Sequence, residues 1–217
     1  MTKFIPYEIY TGAENMQIDS DLLEDSIANN RKEPIFRLYG WRPYCVSLGR
    51  NQDDKFLNYD ILNEKNIDVV RRLTGGRALL HAEEITYSYV CPVSCLENGE
   101  HIISSYKEIS KILIDKFKNI GIELDFGNSK PINTKFDYCM LISTGADLCY
   151  KGKKLIGSAQ CRKNGYILQH GSILYDYDRN LLETIFSEKV DTESITSIKE
   201  LKPEMTKKDL IKNLGFI

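Results

Sequence analysis

Residues 153 to 175, KKLIGSAQCRKNGYILQHGSILY, read as two strands joined by a turn around Lys163 to Gly165. A further run, ITYSYVCPV at 85 to 93, alternates polar and apolar residues with the period of two that a half-buried strand shows. A chain carrying these segments must build a sheet. Shorter β-rich runs bounded by Gly or Pro, IFRLYGW at 35 to 41 and CVSLG at 45 to 49, add to it. Helical spacing of Ile18, Leu22, Leu23 and Ile27 predicts an amphipathic helix over 14 to 29. A stripe of Ile103, Tyr106, Ile109, Leu113, Phe117 and Ile120 predicts another over 103 to 120, with Gly121 at its C-terminal cap. Thr206 is placed to cap a final helix ending before Gly215. Strands and helices do not alternate regularly, so the expected class is α+β: a mixed, largely antiparallel sheet packed with helices.

The 217 residues suffice for one sizeable core, and length favours a single domain. With 42% hydrophobic and 28% charged residues the chain has a globular balance, which excludes disorder, collagen-like repeats and a disulfide miniprotein. A shift toward Lys, Glu, Ser and Thr near the C-terminus marks 191–217 as a helical tail of the same domain as 1–190. The net charge of -2 lacks the basic excess of nucleic-acid binders, so any anion site is local. No apolar stretch reaches the roughly 18 residues that span a bilayer. Lys3, Glu8, Glu14, Asp19 and Asp21 interrupt the region where a secretory signal needs an unbroken apolar run. A cytoplasmic location is therefore expected, without a membrane or nucleic-acid partner. The six cysteines (Cys45, Cys91, Cys95, Cys139, Cys149, Cys161) form no CxxC pair, so no metal site is expected, and a single reactive thiol is the chemistry to look for.

DVVRRLTGGRALLH (68 to 81) looks like sheet interrupted by a special loop. In it, Gly75 and Gly76 would let backbone N–H groups approach an anion or carbonyl without a Cβ in the way, and Arg71, Arg72 and Arg77 add forked donors. The bland alternative is a tight hairpin turn with solvated arginines. His81 and His170 are each read first as satisfied structural histidines. In GKKLIGSAQ (152 to 160), strand alternation sends Lys153 and Lys154 to opposite faces, so one can point inward beside the small residues that follow. Cys139, between Tyr138 and Met140, is by default a buried inert thiol and would need a nearby cation to ionise.

Taken together and in order, ENMQIDSDLLE, FRLYGWRPYCVSLGRNQ, RRLTGGRALLHAEEITYS and GKKLIGSAQCRKNGYILQHGSIL resemble the lipoate-protein ligase/octanoyltransferase family, which shares its catalytic domain with biotin protein ligases. The resemblance covers about residues 8 to 190 and implies a biotin/lipoate protein ligase-like catalytic domain. ATP-dependent ligases of the family typically carry a third glycine where Arg77 stands and an Asn-Asp-Leu segment where YCMLISTGADL stands. TGGR, ITYS and a cysteine shortly before Asp147–Leu148 are instead similar to its cysteine-dependent, LipM-type octanoyltransferases. On that resemblance Cys139 falls on the acyl-thioester nucleophile and Lys154 on the lysine that lowers its pKa. Arg72, Gly75, Gly76, Arg77, Ala78, His81, Gly157, Ser158, Ala159 and Gln160 fall on the substrate-binding positions. Ala82 replaces an acid common after the motif histidine, and Met140 to Ser143 replace aromatic and Pro residues, so an acyl pocket of different shape is expected. On the same resemblance the chain is expected to be without the full C-terminal part of many transferases and the accessory domain of many ligases.

The implied reaction moves an octanoyl (or lipoyl) group from acyl carrier protein to a lysine of a lipoyl-type acceptor domain. Glycine cleavage H protein and 2-oxoacid dehydrogenase acyltransferase components are such acceptors. A Cys139 thioester would be the intermediate, and no cofactor or metal would be needed. Two alternatives stand beside it. One is an ATP- and Mg-dependent lipoate-protein ligase forming a lipoyl-adenylate held by Arg72, the glycine loop and Lys154. The other is a non-catalytic acyl- or lipoate-binding module. Arg71, Arg77, Lys151, Lys153 and Arg162 are the basic residues expected to steer an acidic carrier.

Overall fold

The computed structural model describes residues 1–127, 145–187, 189 and 193–215. Strand β1 (Lys3–Tyr10) leads into helix α1 (Gly12–Ala28). Thr11 starts that helix with a capping box: its Oγ1 accepts from Glu14 N at 3.3 Å while Glu14 Oε2 accepts from Thr11 N at 2.9 Å. The start is thus earlier than the apolar spacing predicts. Gly12 is also required there, because a Cβ would sit 2.6 Å from Cys45 Sγ. The chain continues through β2 (Ile35–Trp41), β3 (Cys45–Leu48), the short helix α2 (Tyr59–Glu64), β4 (Asp68–Arg71), β5 (Leu79–His81) and β6 (Glu84–Pro92). Helix α3 (Ile102–Asn119) follows, then β7 (Asp125–Phe126), β8 (Leu148–Tyr150), β9 (Lys153–Lys163), β10 (Tyr166–Leu174), α4 (Arg179–Phe186), α5 (Ile198–Leu201) and α6 (Lys207–Leu214).

Among the described residues the strands form a seven-stranded sheet in the order β1-β2-β6-β10-β9-β8-β7 and a three-stranded sheet in the order β4-β3-β5. The β1–β2 and β3–β4 pairs are parallel and the others antiparallel, as the α+β reading expects. The β9–β10 hairpin turns at Asn164 (φ 48°) and Gly165 (φ 78°), two left-handed residues whose twist suits a two-residue hairpin. The glycine segment is not a hairpin turn. It joins β4 to β5, which lie on opposite sides of β3, so the loop must cross the end of that strand.

The large sheet is packed on both faces. Val90 and Leu168 bury with Leu23 of α1 and Ile35, while Tyr87, Tyr89, Ile167 and Ile173 share the larger cluster with Ile109, Leu113 and Phe117 of α3. Alternation along β6 and β10 therefore sends neighbouring side chains to different layers. Two helix readings need correction. Helix α1 buries Asn15, Asp19 and Ser26 beside Leu23, leaving Ile18, Leu22 and Ile27 half-buried at its flanks. In α3, Ile103 is 70% exposed although it falls on the apolar stripe. Near the C-terminus, Lys154 N donates to Ser194 O and Thr196 N to Lys154 O, while Ile195, Ile198, Leu210 and Leu214 are fully buried.

Candidate functional site

Arg72 shapes the glycine loop from below. Its Nη1 donates to Ser47 O and Oγ at 2.6 and 2.7 Å, and its Nη2 to Gly75 O and Arg77 O at 3.2 and 2.9 Å. Because a trans peptide sets C=O and the next N–H antiparallel, turning the Gly75 carbonyl toward Arg72 turns the Gly76 N–H away from it. Gly76 adopts φ +94°, which favours glycine. Its carbonyl packs on Gly49, where any Cβ would stand 1.8 Å from that oxygen. At Gly75 a Cβ would meet nothing within 4 Å, so the loop presents bare backbone to an open cleft.

That cleft is lined by Gly75, Gly76, Arg77, Tyr106, Asp147, Lys154, Ser158, Ala159 and Gln160. Strand alternation puts Lys154 inside at 1% exposure and leaves Lys153 half-exposed, with Nζ 3.5 Å from Glu193. Lys154 Nζ lies 3.1 Å from Asp147 Oδ2, and Asp147 Oδ1 accepts from Ser158 N at 3.4 Å. A second, mostly carbon-lined cavity continues past Gly76, Arg77, Ser158 and Ala159 between α1 and the sheet. Met16, Tyr39, Trp41, His81, Gly157 and His170 line it. The fold thus gathers Arg72, Gly75, Gly76, Arg77, His81, Lys154, Gly157, Ser158, Ala159 and Gln160 around two joined compartments. Ala78 is instead fully buried in the main core and lines neither. Cys139 lies outside the described residues.

Both histidines are bonded. His81 stacks on Trp41 with centroids 3.9 Å apart, and its Nε2 is 2.7 Å from Ser47 Oγ. Burial lowers its pKa below the ordinary imidazole value, while nearby Glu84 pulls the other way. His170 Nε2 is 2.7 Å from Thr74 Oγ1, and its Nδ1 is 3.2 Å from Asp19 Oδ2. Asp19 also accepts from Arg37 Nη1, Tyr39 OH and Ser88 Oγ at 2.8 to 2.9 Å. Burial by itself would raise the Asp19 carboxyl, but His170, Arg37 and Tyr39 outweigh it and hold the pKa below the ordinary value.

Sequence reasoning missed Asp19, Asp147 and Glu84. Asp19 lies four residues before Leu23, on the face of α1 that turns inward. Of the basic residues expected to steer a carrier, Arg71 donates to Gly49 O and Gln52 O, and Arg162 to Gly99 O, Glu100 O and Ser105 Oγ. These two guanidinium groups brace loops; Arg71 and Lys151 are exposed, and Arg77, Lys153 and Arg162 are half-exposed. Burial raises the thiol pKa of Cys45, Cys91 and Cys161, that of Cys91 to about 12. Among the described residues no group of three His, Cys, Asp or Glu is set to hold a metal ion, and no helix is long and apolar enough to cross a membrane.

The sequence matches the family model for the lipoyl protein ligase A/B catalytic domain over residues 11–215. It is 38% identical over 177 residues to octanoyltransferase LipM of Carboxydothermus hydrogenoformans, covering 81% of this chain and 65% of that protein. To octanoyltransferase LipM of Bacillus subtilis it is 34% identical over 192 residues, covering 85% and 69%. The chain thus spans about 65% of the length of the first of these relatives. In three dimensions it is similar to a putative lipoate protein ligase from T. acidophilum with bound lipoic acid, at TM-score 0.77 and 18% identity, covering 99% of this chain and 83% of that one. Lipoate-protein ligase A bound with ATP superposes at TM-score 0.76 and 19% identity, with 99% and 83% covered. These structures share the fold, and the sequence match over residues 11–215 decides the family: the chain belongs to the lipoyl protein ligase A/B catalytic domain family.

Proposed function

We propose that the protein transfers an octanoyl group from acyl carrier protein to a lysine of a lipoyl-type acceptor domain, through a thioester on Cys139. The observation that carries this reading is the cleft in which buried Lys154 faces the bare backbone of Gly75 and Gly76, in a chain whose curated relatives are octanoyltransferases. In the first step the Cys139 thiolate attacks the carrier thioester carbonyl, and collapse of the tetrahedral oxyanion releases the carrier thiol after proton uptake. In the second, the deprotonated amine of the acceptor lysine attacks the Cys139 thioester, forms the amide and returns the cysteine thiol. The Gly76 N–H and the Lys154 ammonium are the donors suited to the oxyanion. Asp147 fixes where that ammonium sits. The cavity beside Trp41 has the carbon lining that an acyl chain prefers.

The proposed route needs neither nucleotide nor metal. In the competing ATP-dependent route Arg72 would hold an acyl-adenylate, yet both of its terminal nitrogens already donate to Ser47 and to loop carbonyls. The experiment is transfer from octanoyl-acyl carrier protein to an apo lipoyl domain, with and without Mg-ATP, beside free octanoate plus Mg-ATP. Transfer from the carrier without ATP supports the proposal. Product only from free octanoate and ATP overturns it in favour of the ligase, and acyl binding without product in either arm favours the binding module.

A further inference from the structure

We propose that Asp19, His170 and Thr74 form a positioning relay through which α1 sets the glycine loop. The consequence for catalysis rests on the transfer reading above; the mechanical claim does not. Asp19 is 1% exposed, His170 4% and Thr74 0%, so the relay is shielded from bulk solvent. An ionised carboxylate can only accept, so the 3.2 Å contact places a proton on His170 Nδ1. Nε2 and the Thr74 hydroxyl are 2.7 Å apart, and because a hydroxyl can both donate and accept, the bond forms in either state of the ring. That bond fixes the side chain of the residue immediately before Gly75. Asp19 in turn is immovable, because Arg37 and Tyr39 of β2, Ser88 of β6 and His170 of β10 all donate to it, tying the helix to three adjacent strands.

The loop needs such an anchor. Gly75 and Gly76 have no side chains to pack, and glycine is the most costly residue to order. Arg72 holds the loop carbonyls from the β3 side, and Arg50 N donates to Thr74 O at 2.9 Å. Thr74 Oγ1 adds the tie to the large sheet. Gly76, which borders both compartments, is therefore placed by two sheets at once, and the relay is its link to the larger one.

The test compares Thr74→Val, which removes the hydroxyl at nearly constant shape, with Thr74→Ser, which keeps it, and adds Asp19→Asn. Hydrogen exchange at the Arg50 amide, which donates to Thr74 O at 2.9 Å and so reports on the loop, is read beside octanoyl-transfer kinetics. Thr74→Val should speed exchange there by about tenfold, the equivalent of one lost hydrogen bond, while the β6 and β10 amides stay protected. Its kcat should fall at least as far with KM within about twofold, the pattern of a lost transition-state contact. Thr74→Ser should restore both readouts. Unchanged Arg50 exchange in Thr74→Val overturns the relay, as does a Thr74→Ser variant as impaired as Thr74→Val. Asp19→Asn should match Thr74→Val at the loop; if it does not fold, the valine–serine pair still decides. A wild-type protein without transferase activity would refute the transfer reading and leave the exchange result to judge the relay.

Discussion

Lys154 and Asp147 are each other's compensation for leaving water: both are almost fully buried, 3.1 Å apart. Lys154→Ala removes the cation beside the buried Asp147 carboxylate and should cost about 3–5 kcal/mol in urea unfolding, whereas the half-exposed Lys153→Ala should cost well under 1 kcal/mol. In the proposed mechanism Lys154→Gln should also move the pH midpoint of Cys139 alkylation upward, and Lys153→Ala should leave it in place. Two other buried residues contribute to acid stability. Burial lowers the folded-state pKa of His81 below its ordinary 6.5. Between those values the unfolded chain binds a proton that the native state does not, so stability falls with pH below about 6.5, by up to about 1.4 kcal/mol per unit. Asp19 has a folded pKa below its ordinary 3.8, so its contribution is present above that value and is lost as pH falls through the lower one. Urea midpoints measured against pH should lose the first limb in His81→Asn and the second in Asp19→Asn; an unaltered profile in either variant contradicts the assignment.

The elements show which patterns translate into structure. The β9–β10 hairpin was legible because its turn and its alternation agree, and α3 because Ile109, Leu113 and Phe117 keep helical spacing up to a glycine at positive φ. Helix α1 was legible as a helix but not in its facing, since Asn15, Asp19 and Ser26 are buried through hydrogen bonds that no hydrophobic pattern reveals. Ile103 breaks the α3 stripe because the start of that helix is held by Arg162 and Ser105 rather than by apolar packing. The glycine loop crosses β3 rather than closing a hairpin, and the sequence marks that only indirectly, through Gly49, whose missing side chain makes room for the Gly76 carbonyl. Gly49→Ala should therefore displace the loop as strongly as a substitution inside it. Soluble yield and melting temperature should both drop for Gly49→Ala and for Gly76→Ala, while Gly75→Ala, with nothing within 4 Å of its Cβ, should melt close to wild type.

At the scale of the molecule, the sequence blocks were enough to locate the cleft, because motif positions distant along the chain meet at the glycine loop and β9. What escaped was the polar scaffold around it, where Asp19, Asp147 and Glu84 act through partners supplied by other strands. Arg71 and Arg162 donate to loop carbonyls yet keep their charge, so the rim proposed to steer an acidic carrier comprises Arg71, Arg77, Lys151, Lys153 and Arg162. The apparent second-order rate should decline with salt, and Arg77→Gln and Arg71→Gln should each flatten that slope. A rate indifferent to ionic strength would contradict steering. The central claim, acyl transfer through Cys139, is tested most directly by intact-mass analysis after incubation with octanoyl-acyl carrier protein in the absence of ATP. The account predicts an octanoyl adduct that hydroxylamine removes at neutral pH and that Cys139→Ala does not form; an adduct of equal yield on Cys139→Ala, or none on a wild-type protein that still transfers the acyl group, would contradict it.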